Sequence, residues 1–217
     1  MLRFNDEFFT SEFDRYLEVR EAGLKKEGNK ILEKLMLYFD ELDEDIKTEI
    51  CEEFCILCFE KSKMKEREIQ FFLSQRIIKI LEKACDENKM PHLRWYYQMT
   101  RNGDALERAY KHELCDEKTA GLLVGEYLGV LWHGCHHFPD YCLISREYCD
   151  YLLDKISEII QKHGLGDVVE KEYLYYKELF SEWWTWEAED AEEGFGEWCV
   201  SKGKRYKWVQ AFYFSKR

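Results

Sequence analysis

The 217-residue chain is poor in proline, with Pro91 and Pro139 alone, where an average chain of this length would hold about ten. Proline inside a helix removes a hydrogen bond and clashes with the preceding turn, so its scarcity favours long uninterrupted helices. Apolar residues are not scarce. Hydrophobic residues make up 46% and aromatic residues 16% of the sequence, and this content excludes an intrinsically disordered chain.

Long hydrophobic runs are also absent. The most apolar stretch, 122–132, contains Glu126 and is far shorter than the ~20 residues that span a bilayer. The N-terminus has no basic region followed by an apolar stretch, so no secretory signal is predicted. We therefore expect a cytoplasmic protein without membrane contact, whose nine cysteines are free thiols rather than a disulfide framework.

Recognisable catalytic motifs are missing as well. The sequence contains no GxxxxGK[ST] or GxGxxG phosphate loop and no HExxH zinc signature. It also lacks a serine nucleophile elbow and a papain-type cysteine context. These absences predict a protein that is not an enzyme and needs no cofactor.

Apolar residues instead recur at three- to four-residue spacing, which is typical of amphipathic helices. The sequence predicts an all-α fold of about nine helices in antiparallel pairs, arranged as a bundle or a short α-solenoid. We expect one domain, 1–217, with a helical body over 1–196 and a basic aromatic tail over 197–217. Predicted helix starts are Thr10 or Ser11, Asp116, Ser145 and the pair Asp167 and Glu170, and predicted helix ends are Gly28 and Gly164.

The tail carries strand-favouring residues. Residues 197–201 and 205–214 flank Lys202-Gly203-Lys204, and the second of these segments is rich in aromatic residues. This pattern predicts a small β-hairpin, with a terminal helix as the alternative.

Two small-residue stripes lie at helical spacing. Cys51, Cys55 and Cys58 share one helix face, and because free cysteine is among the most buried residue types, we expect them in the core. Gly121, Gly125 and Gly129 recur every four residues. Glycine lowers helix stability, so we expect a neighbouring helix to approach this stripe closely; the alternative is the floor of a ligand or peptide groove.

One cluster has the side chains of a metal or catalytic site. It comprises His133, Cys135, His136, His137 and Asp140, and imidazole and thiolate groups are good zinc ligands. The spacing matches no standard zinc pattern, so we expect a helix end in which the imidazoles bind carbonyls and the cysteines pack. A metal-dependent hydrolase is the alternative.

The charge is the most informative feature. The chain has a net charge of −12, which disfavours nucleic-acid binding, and the acids form two runs. Residues 40–53 hold eight acids and one lysine, and 182–197 hold seven acids and no base, interleaved with tryptophan. Interfaces favour aromatic anchors, and acidic groups attract basic partners. The predicted partner-binding residues are Glu182, Trp183, Trp186, Glu187, Glu189, Asp190, Glu192 and Glu193, with Asp43, Glu44 and Asp45 as a second patch. Ordinary amphipathic packing, with the rings buried and the acids outside, is the alternative.

In charge, size and helicity, without a shared motif, the chain resembles the bacterial immunity proteins that neutralise toxins, including those of contact-dependent growth inhibition systems. The resemblance implies that the partner is a basic nuclease-type toxin domain, held inactive because its active site is covered. A helical-repeat adaptor that binds a protein or peptide in a groove is the alternative.

Overall fold

The structure, a computed structural model, describes residues 4–62 and 71–206. These residues form ten α-helices and one π-helical turn, and contain no strand. The predicted all-α class is therefore confirmed for the described part of the chain. Helices that follow one another in sequence pack as pairs, consistent with the predicted antiparallel pairing. None of the described helices combines the length and apolar character needed to cross a membrane.

The chain divides into two compact units, Met1–Ala109 and Tyr110–Arg217, and each is described separately. The helices are α1 (Glu7–Glu21), α2 (Lys25–Glu41), α3 (Glu44–Cys55) with the π-helical turn (Ile56–Glu60), α4 (Phe71–Asp86), α5 (His92–Thr100), α6 (Gly103–Lys111), α7 (Glu117–Cys135), α8 (Arg146–His163), α9 (Asp167–Glu189) and α10 (Phe195–Ser201).

The core of the first unit is built on phenylalanine rings. Phe4 and Phe9 meet edge to face at 5.2 Å between ring centroids, as do Phe13 and Phe54 at 5.0 Å. The predicted cysteine stripe lines the same core: the exposed fractions of Cys51, Cys55 and Cys58 are 0%, 1% and 9%. The prediction that these thiols pack as small apolar side chains is confirmed.

The first two helices begin and end at different residues than the sequence predicted. Helix α1 is capped by Asp6, whose Oδ1 accepts a hydrogen bond from the Phe9 amide at 2.6 Å, whereas the Thr10 hydroxyl binds the amide of Phe4. The chain turns at Gly23, where φ is +78°. Gly28 lies inside α2, and a Cβ there would meet the Arg20 side chain at 3.1 Å, so this glycine lets α1 approach α2.

In the second unit α7, α8 and α9 pack on one another, and α10 packs on α9. The predicted caps of α7 and α8 are confirmed, because Asp116 accepts from the Thr119 amide at 2.8 Å and Ser145 from the Tyr148 amide at 3.3 Å. The left-handed Gly164 ends α8 as predicted. The predicted capping pair of α9 is wrong, since its N-cap is Gly166, which makes no side-chain bond.

The close approach predicted for the glycine stripe of α7 is also wrong. A Cβ built on Gly121, Gly125 or Gly129 meets no atom of the described residues within 4 Å, so no described helix packs closely there. One turn further on, Gly134 is tightly packed: a Cβ there would lie 2.7 Å from Cδ1 of Ile144. The glycine that packing requires therefore lies outside the regular stripe.

The first strand of the predicted hairpin is helical. Residues 197–201 belong to α10, because Phe195, Trp198 and Cys199 lie at helical spacing and are buried together. The aromatic part of the second strand, 207–214, lies outside the described residues.

Candidate partner-binding surface

The tryptophan-rich acidic run forms the end of α9, a short turn and the start of α10. Helix α9 stops at Asp190, whose φ of +48° is left-handed. Two indole N–H groups then fix the turn: Trp186 donates to the backbone oxygen of Glu193 at 2.9 Å, and Trp198 donates to Oε2 of Glu189 at 2.8 Å. These bonds tie both sides of the turn to the helices that it connects.

An aromatic cluster lies beneath this turn. The ring of Trp183 stacks on Phe138 at 4.4 Å and meets Phe195 edge to face at 5.0 Å. Trp186 also contacts the cluster, with its centroid 4.9 Å from that of Trp183. Because closely packed rings have few alternative arrangements, the cluster holds the turn rigidly.

The cluster changes the roles predicted for the tryptophans. Trp183 is 4% exposed, so it belongs to the core and presents no surface to a partner. Trp186 is partly exposed and remains at the edge of the surface. The packing alternative therefore describes Trp183 correctly, because a large ring at helical spacing from Leu179 and Phe180 faces the same core.

Unlike Trp183, most acids of the run are exposed to solvent. Glu187, Glu189, Asp190, Glu192 and Glu193 are all exposed, as predicted, and so is Glu197. Five of these carboxylates make no ion pair within residues 4–62 and 71–206. We call these five the α9–α10 acidic surface: Glu187, Asp190, Glu192, Glu193 and Glu197.

The remaining acids of this run are paired with lysines that follow α10. Lys202 Nζ lies 3.5 Å from Oε2 of Glu189. Lys204 binds both Glu178 and Glu182, and these two carboxylates raise the pKa of Lys204. Within the described residues, these two lysines thus neutralise Glu178, Glu182 and Glu189 and leave the other acids of the run without a countercharge.

The second predicted patch lies in the first unit, at the start of α3. Asp43, Glu44 and Asp45 are exposed and occupy the N-cap and first turn, where negative charge favours the helix dipole. Glu44 Oε1 binds Lys47 Nζ at 2.9 Å, and this lysine lowers the pKa of Glu44. These acids therefore already have a structural role.

The histidine cluster forms the C-terminal end of α7. His136 stacks on His133 with centroids 4.8 Å apart, and His137 lies 4.0 Å from His136. The Nδ1 atom of His136 lies 2.5 Å from the carbonyl oxygen of His133, and the Cys135 thiol donates to the Trp132 carbonyl. The imidazole and thiol groups thus bind carbonyls of the helix end.

The pKa shifts of the side chains in this cluster result mainly from their burial. Burial raises the pKa of Cys135 to about 12, and desolvation and the neighbouring imidazoles lower the pKa of His137. In the described part of the chain no group of three or more His, Cys, Asp or Glu, Asp140 included, is placed to hold a metal ion. The next side chain, Phe138, is buried, and its ring stacks on Trp183 beneath the acidic turn.

The side chains that support this surface from distant positions in the sequence were not identified from the sequence alone. Phe138 lies 45 residues before Trp183, and no local pattern connects them. The pairing of Lys202 and Lys204 did leave a signal, since a basic segment without acids directly follows an acidic run without bases. Comparisons of the chain with protein-family models, with curated proteins and with solved structures gave no significant match.

Proposed function

We propose that this protein binds a basic protein partner through the α9–α10 acidic surface. The supporting observation is that its five exposed carboxylates form no ion pair with a described residue. They lie on the end of α9, on the turn and on the start of α10, and two indole hydrogen bonds fix this turn. Like charges held close together repel one another, and lysine or arginine side chains of a partner would remove that repulsion.

A nuclease-type toxin domain is the partner class that fits this surface best. A nuclease active site must attract phosphate groups, and it does so with clustered positive charge. Carboxylates on this turn and on the adjoining ends of α9 and α10 offer such a site an alternative set of anions. Binding would cover the active site and neutralise the toxin, as the resemblance to immunity proteins implies.

The test is the affinity for the nuclease domain of a toxin encoded beside this gene. We expect the variant E187Q/D190N/E192Q/E193Q/E197Q to bind it roughly a hundredfold more weakly, because five contacts of about 0.5 kcal/mol each are lost. The matched control is D43N/E44Q/D45N, which changes three exposed acids of the first unit and should bind within a factor of two or so of the unaltered protein.

Salt provides an independent readout. If the carboxylates attract the partner, raising the ionic strength should slow association of the unaltered protein more than that of the five-residue variant. Equal affinity of the variant and the unaltered protein would show that the partner binds elsewhere.

A further inference from the structure

A second surface, independent of the acidic one, lies in the first unit between α2 and α4. The two helices are joined by Arg76, whose Nε binds Oδ1 of Asp40 at 2.7 Å and whose Nη2 binds Oδ2 at 2.5 Å. Beside this bridge the helices leave an open groove of about 460 Å³. Its floor includes Leu32 and Met36, which are 4% and 5% exposed.

Large apolar side chains stand in the solvent around this groove. Leu37 on α2 is 62% exposed, and on α4 Phe71 and Phe72 are 65% and 62% exposed. Leu37 and Phe72 line the groove directly, and the rings of Phe71 and Phe72 contact each other at 5.8 Å. A single exposed apolar residue is ordinary, whereas three beside one groove are typical of a surface that another molecule covers.

The charges in the groove indicate what that molecule carries. Asp40 neutralises Arg76, whose Nη1 also donates to the Phe72 carbonyl at 2.9 Å. Glu33 lines the groove as well, is exposed, and makes no ion pair with any described residue. Lys47 and Lys79 also lie near enough to act on Asp40. Among the lining side chains, the charge without an ion pair to a described residue is therefore that of Glu33, and it complements a lysine or arginine.

We propose that the groove between α2 and α4 binds an amphipathic helix of a partner protein, with apolar side chains on one face and lysine or arginine beside them. A helix laid between two helices buries its apolar face against both of them. A second copy of the same groove is a poor occupant, because two concave surfaces facing each other leave the space between them unfilled.

The probe is a labelled 14-residue helical peptide with leucine at positions i, i+3, i+4 and i+7 and lysine elsewhere, measured against the full chain by fluorescence polarisation. The comparison peptide has glutamate in place of lysine. We expect the leucine–lysine peptide to bind at least tenfold more tightly. L37S/F72S should weaken binding of the leucine–lysine peptide at least tenfold, whereas V168S/L174S, which changes two exposed residues of α9, should leave it intact.

Two further variants separate the possible outcomes. E33K should weaken the leucine–lysine peptide and strengthen the leucine–glutamate peptide, and because Glu33 is exposed this substitution leaves the core unchanged. The five-residue variant of the α9–α10 acidic surface should bind the peptide like the unaltered protein, so failure of the proposed function leaves this result in place. Equal binding by L37S/F72S and the unaltered protein would overturn the proposal. So would a concentration-dependent dimer that F72S dissociates, since the occupant would then be a second copy.

Discussion

The two acidic runs are alike in composition and differ in how their charge is used. Five of the eight acids in 40–53 bind a side chain of the same unit, and these pairs are Asp40 with Arg76, Glu44 with Lys47, Glu49 with Asn5, Glu52 with His92 and Glu53 with Lys61. In 182–197 only Glu182 and Glu189 have such partners within the described residues. The first run binds side chains of its own unit, whereas the second leaves five charges without an ion pair among the described residues.

The largest expected effect tests the claim that acids stabilise the first unit. Beyond the end of its acidic run, Oε1 of Glu60 accepts from Arg94 at 2.6 Å and from the Trp95 indole at 2.7 Å. Arg94 is only 4% exposed, so Glu60→Ala removes a charged partner of a buried cation and should cost about 3 kcal/mol. Urea denaturation followed by circular dichroism measures the loss.

The matched substitution in the second run is Glu192→Ala. Glu192 is exposed and has no ion pair in the described chain, so the free energy of unfolding should change by less than about 0.5 kcal/mol. Equal losses for the two variants would show that the acids of the first unit and those of the second run do not differ as described.

The next effect depends on pH. Asp40 accepts hydrogen bonds from Arg76, and these bonds lower the pKa of the Asp40 carboxyl group. A carboxyl whose pKa is lowered by folding stabilises the folded state above its unfolded pKa of about 4, and this stabilisation is lost as the pH falls through the folded value. Asp40→Asn should therefore cost about 0.5–1 kcal/mol at pH 7, a small figure because the pair is partly exposed.

The measurement is urea denaturation of both proteins between pH 3 and pH 7, with Asp190→Asn as control. The difference between the unaltered protein and Asp40→Asn should shrink as the pH falls towards 3. Asp190→Asn, which breaks no ion pair of the described chain, should show no such trend. A loss for Asp40→Asn that is constant with pH would mean that Asp40 acts by something other than its charge.

The contrast between the runs also shows how far the sequence alone could be read. Local signals predicted the helices well: Asp116 and Ser145 cap α7 and α8, and the cysteine stripe is buried. Each of these depends on residues within one or two turns of each other. One local prediction was wrong, namely that Thr10 or Ser11 caps α1. The Thr10 hydroxyl accepts a hydrogen bond from the Phe4 amide, and Asp6 caps the helix instead.

Pairing of the acids could not be predicted in the same way. Asp40 is 36 residues from Arg76, and Glu52 is 40 residues from His92, so tertiary packing decides which acids are neutralised. Composition therefore identified both acidic runs as candidate surfaces. The choice between them needed the positions of the bases, and the burial of Trp183 needed the position of Phe138.

A smaller effect concerns the lysines that follow α10. Lys202 forms an ion pair with Glu189, and Lys204 forms ion pairs with Glu178 and Glu182. Without these lysines, a basic partner on the neighbouring acidic surface would reach the same carboxylates. Exposed ion pairs are weak and easily exchanged. The variant K202Q/K204Q should therefore bind the toxin domain about threefold more tightly, since less countercharge must be displaced. Biacore-type surface measurements at low salt resolve such a change, with K155Q on α8 as control. Weaker binding would mean that these lysines help to shape the surface.

The smallest expected effect is a gain in stability when acids of the second run are removed, whereas removing paired acids of the first unit lowers stability. The five carboxylates of the α9–α10 acidic surface lie between Glu187 and Glu197 and have no countercharge in the described chain. Because like charges repel one another, E187Q/D190N/E192Q/E193Q/E197Q should stabilise the second unit by about 0.5 kcal/mol at low salt. Added salt screens that repulsion, and the gain should fade by about 0.5 M sodium chloride. Hydrogen exchange of α9 and α10 peptides, read by mass spectrometry, reports this unit specifically. If the variant instead exchanged faster, these carboxylates would be making stabilising contacts in the folded protein. They would then be structural, like those of the first run, and the surface would lose the free charge on which partner binding depends.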